Sequence, residues 1–102
     1  MDGKIIQEPA QVQSGVTPTN YCTITAMPVS TEFQKGTANL TCPFYPKFVV
    51  LRISTNILFW GAEGFVIDSG GYSREYTYLN GVLSIPVYNQ EVTTQYTLTA
   101  FG

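Results

Sequence analysis

Seven carboxylates, two cysteines, seven tyrosines and no histidine make up the chemical inventory of this 102-residue chain. Without histidine there is no Ser–His or Cys–His nucleophile pair, no imidazole general base and no histidine-rich zinc site. Cys22 and Cys42 alone cannot complete a zinc tetrahedron. Both sit on the apolar phase of strands expected to be neighbours, so a cross-strand disulfide is geometrically open. A reducing cytoplasm favours the other reading, two buried thiols packing as small hydrophobes. The acids Asp2, Glu8, Glu32, Glu63, Asp68, Glu75 and Glu91 form no close pair in sequence. A two-carboxylate hydrolase or a calcium loop needs several converging oxygens, and "AEGFVIDSGG" offers only Glu63 and Asp68 near loops. The glycines between 64 and 71 lack the Lys-Ser/Thr of a phosphate loop. No catalytic residue, cofactor or metal is expected.

The tyrosines are the remaining resource. Tyr72, Tyr76, Tyr78 and Tyr88 cluster around Asn80-Gly81. Facing inward, such rings are core packing; exposed, they stack on sugar rings or anchor protein interfaces. Tyr72 and Tyr88 are the candidates for surface contacts, with a glycan as one open ligand. "NLT" at Asn39 matches a glycosylation acceptor, but no signal peptide accompanies it.

Charged residues make up only 12% of the chain, against about 25% in typical soluble domains. Thr, Ser, Asn, Gln and Tyr fill the deficit, a composition that suits a surface covered by partners. Net charge is −2, and the cations Lys4, Lys35, Lys47, Arg52 and Arg74 are scattered. Phosphate backbones need clustered cations, so the pattern argues against nucleic acid. The longest apolar runs, "FVVL" and "ILFW", fall far short of a membrane helix. "MDGKIIQEPAQ" lacks the basic-then-apolar order of a secretory signal, so synthesis in the cytoplasm without export is expected.

The elements that would position these groups are strands. Residues 1–20 hold Ile5, Ile6, Val12 and Val16 as their large apolar residues, broken by Pro9, Gly15 and Pro18. They read as an extended arm of about 66 Å at full reach, and Ile5, Ile6, Pro9, Val12 and Val16 are its expected interface residues. From Tyr21 the period is two. "YCTITAM", "GTANLTC", "KFVVLRIS", "NILFWG", "FVID", "REYTYL", "VLSIPVY" and "TTQYTLTAF" are the expected strands. Asn80-Gly81 is a hairpin turn, because both residues tolerate positive φ; it sets Tyr78 opposite Leu83 and Tyr76 opposite Ile85. Pro86 cannot donate to a ladder, so its strand is expected at an edge or bulged there. Short strands at this spacing predict an all-β fold, an antiparallel β-sandwich over residues 21–102, with a small barrel as the alternative.

The stretches "ILFWGAEGFVIDSG" and "GVLSIPVYNQEVTTQYTLTAFG" resemble the Ig-like domains of bacterial and phage tail, capsid-decoration and surface proteins. The likeness spans roughly residues 55–102 and is strongest at "TTQYTLTA", the strand on which such domains close. It implies an Ig-like sandwich without catalytic residues, with Trp60, Tyr96 and Leu98 in the core. Tyr96 resembles the tyrosine-corner position, whose hydroxyl bonds back to a loop backbone. Leu98 stands where an antibody domain has its second cysteine.

The expected function is that of a structural virion protein, a small phage capsid decoration or cement protein. Its partners would be major capsid or other virion proteins and further copies of itself, held by the arm and the sandwich surface. No membrane or nucleic-acid partner is expected, and the location would be the virion. A tail component or a glycan-binding Ig-like module is the alternative. With no linker after the last strand, the module is expected to work alone or through its own copies.

Overall fold

Alternation in the sequence becomes alternation of burial in space: Ala38 and Leu40 point inward from one strand, with Cys42 buried just past its end, and Leu83, Ile85 and Val87 point inward from its neighbour. The computed structural model describes residues 20–102. The arm residues Ile5, Ile6, Pro9, Val12 and Val16 lie outside that range.

Two antiparallel sheets stack face to face around one core. The larger runs in the order β1 (Tyr21–Ala26), β10 (Tyr96–Phe101), β4 (Phe48–Ile53), β5 (Ile57–Ala62), β6 (Phe65–Ile67) and β7 (Ser73–Glu75). The smaller runs β2 (Val29–Glu32), β3 (Lys35–Thr41), β9 (Val82–Tyr88) and β8 (Thr77–Leu79). The sheets are separate, so the fold is a sandwich and not a barrel. An Ig-type sandwich orders its strands A-B-E-D in one sheet and C-F-G in the other. Here β2-β3-β9-β8 follows the first order, and β4 and β10 form the C-F pair. The place of G, antiparallel beside F, is filled by β1. "TTQYTLTA", expected to close the domain, is therefore an interior strand between β1 and β4.

Two tight turns carry the positive φ that they require. Asn80 and Gly81 have φ of 53° and 79° and set Tyr78 opposite Leu83. Glu63 and Gly64, with φ of 57° and 95°, make the equivalent turn between β5 and β6.

Several expectations need correction. "REYTYL" is not one strand: β7 and β8 belong to different sheets, and Tyr76 is the pivot between them. Its N–H bonds Gly64 O at 2.8 Å and its ring is buried, so it forms no pair with Ile85. Trp60 is not in the core. It is 37% exposed, because its neighbour Phe59 takes the inward phase of β5 and successive strand residues face opposite ways. The chain also leaves strand geometry between β9 and β10, where Asn89–Thr93 form a 3₁₀ turn too short to leave a helical period. Ile24 is partly exposed, since β1 is the edge of its sheet.

Cys22, on β1, and Cys42, just past the end of β3, are free thiols close to each other, but they do not lie on neighbouring strands. Burial pushes the Cys42 thiol above its usual value of 9.0, and the nearby Cys22 thiol acts in the same direction. Cys42 Sγ donates to Phe44 O at 3.1 Å. In the native protein Cys42 should resist a thiol-labelling reagent such as DTNB at pH 8 while Cys22 reacts, and both should label after unfolding. Equal rates in the native state would contradict the burial. Unfolding frees this proton near pH 9.0 while the folded state retains it. The contribution to stability is thus intact below that pH and declines as pH rises beyond it.

Candidate functional site

The smaller sheet is incomplete on both sides, and side chains finish it. β8 stops at Thr77, opposite Ser84, so β9 runs on without a neighbour from Ile85 to Tyr88 on that side. Pro86 lies in this uncovered length. Its carbonyl accepts from Arg74 Nη1 at 3.1 Å, and N and C=O of one strand residue point the same way. The missing N–H therefore faces the side where no strand runs. This is how an interior strand tolerates proline: along this stretch it is an edge.

Arg74 projects inward from β7, opposite the buried Val66. It donates Nη1 to Glu91 Oε1 at 2.6 Å and Nη2 to Glu91 Oε2 at 2.8 Å. Its guanidinium lies 4.5 Å from the Phe59 ring centroid and 5.1 Å from that of Tyr88. Glu91 Oε1 also accepts the Tyr88 N–H at 3.0 Å, tying the 3₁₀ turn to the pair. The ion pair thus stands in for the absent strand, with both side chains largely buried.

Above it opens a cleft of about 730 Å³ between β7 and β9. Phe59, Arg74 and Glu91 form its floor, and Thr37, Thr77, Ser84 and Pro86 line one wall. Tyr72 and Tyr88 stand at the rim, 75% and 40% exposed. The Tyr72 loop is braced: Asp68 Oδ1 accepts from Gly70 N at 2.9 Å and Tyr72 N at 3.0 Å, and Asp68 N donates to Tyr72 O at 3.0 Å. Of the residues singled out in sequence, the fold brings Tyr72, Tyr88 and Asp68 to one cleft and leaves Glu63 in a turn on its own hairpin. Tyr76 and Tyr78 turn to the core, Tyr76 fully and Tyr78 in part. Among the described residues no three acidic or cysteine side chains converge to hold a metal ion.

Tyr96 and Leu98 are buried. The Tyr96 hydroxyl departs from the corner arrangement. It donates to Asn39 O at 2.6 Å and accepts from Asn39 N at 3.0 Å, reaching a strand of the opposite sheet and not a loop. β2 ends its pairing at Thr37, so the phenol completes β3 as Arg74 completes β9.

A second surface lies on the outer face of the six-stranded sheet. Tyr21, Phe101 and Phe48 form a row across β1, β10 and β4, with Tyr21 and Phe101 stacked at 6.2 Å. The next row runs Thr23, Thr99, Val50, Trp60, Ile67. Leu58 and Phe65 extend the apolar area, and threonine pairs Thr23–Thr99 and Thr25–Thr97 bond at 2.9 Å each. Arg52 and Glu75 are the only charges on the outward positions of these strands. Set against family models, curated proteins and solved structures, the chain matches none of them.

Proposed function

We propose that the protein is a non-enzymatic structural component of a larger assembly, of the virion decoration or tail kind its sequence resembles. It docks through the outer face of the six-stranded sheet. The observation that carries this reading is the make-up of that face. Tyr21, Phe48, Leu58, Trp60, Phe65 and Ile67 are each more than a third exposed on one continuous surface with two charges. Soluble monomers rarely leave an apolar area of this extent open to water, and such areas mark association surfaces. Four strands of six residues and two of three, at about 4.8 Å spacing and about 3.3 Å per residue, give a projected face on the order of 500 Å². A standard interface takes about 800 Å² per partner. The arm, residues 1–20, would extend the contact over a neighbouring subunit.

The chemistry of the partner follows: a protein surface, flat and largely apolar, belonging to a shell protein or to another copy under symmetry. Leu58→Glu combined with Phe65→Glu should leave the circular-dichroism spectrum and melting temperature close to wild type, since both side chains point outward. It should abolish higher-order assembly, measured by light scattering and electron microscopy of the particles carrying the protein. Deleting residues 1–20 should likewise leave a folded domain that incorporates poorly. Full incorporation of the double variant would overturn the docking role of this face.

A further inference from the structure

The cleft beside β9 lies apart from the docking face except at Glu75, which borders both. We propose that the cleft between β7 and β9 binds a neutral oligosaccharide, stacked against Tyr72 and Tyr88. Sugar rings present apolar C–H faces that pack on aromatic rings and hydroxyls that need fixed polar partners. Both requirements are met. Tyr72 is 75% exposed, yet its backbone is held at both N–H and C=O by Asp68. Its ring lies over Gly70, where a Cβ would come within 3.6 Å of it. The Tyr88 ring is backed by the Arg74 guanidinium, itself locked by Glu91 and Pro86 O. An exposed ring on a fixed mount loses little freedom when a ligand arrives, which favours binding.

The polar lining selects the class of ligand. Ser84 Oγ donates to Asn39 Oδ1 at 2.6 Å, and Asn39 Nδ2 donates to Thr37 Oγ1 at 3.0 Å. The hydroxyls of the wall are thus oriented and keep acceptor capacity for sugar hydroxyls. Arg74 is neutralised by Glu91, which leaves the Asp68 and Glu75 carboxylates as the unbalanced charges of the cleft. That field repels sialylated, sulfated or phosphorylated ligands. A volume of about 730 Å³ suits a few sugar units.

A peptide is the rival occupant, and the backbone argues against it. A peptide adding to a strand edge needs free N–H and C=O groups. Along the uncovered part of β9, Pro86 has no N–H, its carbonyl is taken by Arg74, and the Tyr88 N–H is taken by Glu91.

The test uses the full chain on an array of neutral hexasaccharides (gluco-, manno-, galacto- and N-acetylglucosamine series) beside sialylated glycans and a peptide library. Nuclear magnetic resonance titration follows any hit. A subset of neutral oligosaccharides should bind and shift the amides of Tyr72, Ser73, Thr77 and Tyr88. Tyr72→Ala should weaken binding at least about tenfold, equivalent to about 1.4 kcal/mol, with an unchanged melting temperature. Tyr72→Phe should bind like wild type, because the ring and not the hydroxyl does the stacking. No binding to any neutral oligosaccharide, capture of only anionic glycans or peptides, or undiminished binding by Tyr72→Ala would each overturn the proposal. None of these outcomes bears on assembly, which is read from particle size with variants on another face.

Discussion

Arg74→Ala should cost about 3–5 kcal/mol of folding stability, the range for removing one partner of a buried ion pair. The loss has three sources. Glu91 keeps the Tyr88 N–H but loses both guanidinium bonds, at a side chain that is only 15% exposed in the intact pair. The Pro86 carbonyl loses its only donor on the β8 side, and a buried unsatisfied carbonyl is penalised. The Phe59 and Tyr88 rings lose the cation between them. Domains of this size are stable by only about 5–15 kcal/mol, so the variant should be near the limit of folding. Urea denaturation should show a lower midpoint with little change in slope. Arg74→Lys should fall between the two, since an ammonium keeps the charge but cannot form the fork to Glu91 together with the bond to Pro86. Arg74→Met with Glu91→Met should recover part of the loss, because no orphaned charge remains. A cost for Arg74→Ala below about 1 kcal/mol would put the pair in the class of exposed salt bridges and remove its assigned role in completing the sheet.

The same residues show what could be read from the sequence and what could not. The Asn80-Gly81 turn and the Tyr78–Leu83 register were legible because a two-residue turn fixes pairing by local backbone geometry alone. The inward phase of β10 was legible because Tyr96, Leu98 and Ala100 alternate strictly with Thr97 and Thr99. Trp60 was misplaced because "ILFW" has no alternation: residue type says inward for all four, while a strand can bury only every second one. Strand identity came from period, but sheet membership did not. The position of β1 beside β10 depends on pairings 70 or more residues apart, as in Tyr21 with Phe101. The break at Tyr76 involves only nearby partners, but the unbroken alternation of "REYTYL" carries no sign that its two halves pair in different sheets. The Arg74–Glu91 pair joins residues 17 apart with no motif between them. A hint was present all the same. In "SREYTY" the arginine is two residues from Tyr76, on the same strand phase, and a charge on an inward phase calls for a partner. Pro86 was the complementary hint, a proline in a strong strand pattern whose edge needed some other cover.

Tyr96→Phe should cost about 2–3 kcal/mol although it removes a single oxygen atom. In an isolated surface position the same change would be nearly neutral. Here the hydroxyl serves both backbone groups of Asn39, accepting from N at 3.0 Å and donating to O at 2.6 Å. β2 does not reach Asn39, and the rest of the Tyr96 side chain is only 3% exposed, so water cannot readily replace the phenol. Two polar backbone groups then lose their partner at once, and each unsatisfied group carries about 1–3 kcal/mol. Tyr78→Phe is the internal comparison. It removes one bond, from the Tyr78 hydroxyl to Cys42 O at 2.6 Å, at a half-buried position, and should cost about 1 kcal/mol. A global measurement alone could not separate a lost hydrogen bond from a packing defect, so amide hydrogen exchange supplies the local readout. In Tyr96→Phe the Asn39 N–H should lose protection beyond the global change, while the Leu98 N–H, inside the β10 ladder, should follow global stability only. Equal loss at both sites would mean that the ring's packing, and not the hydroxyl's bridge between the sheets, is what Tyr96 contributes.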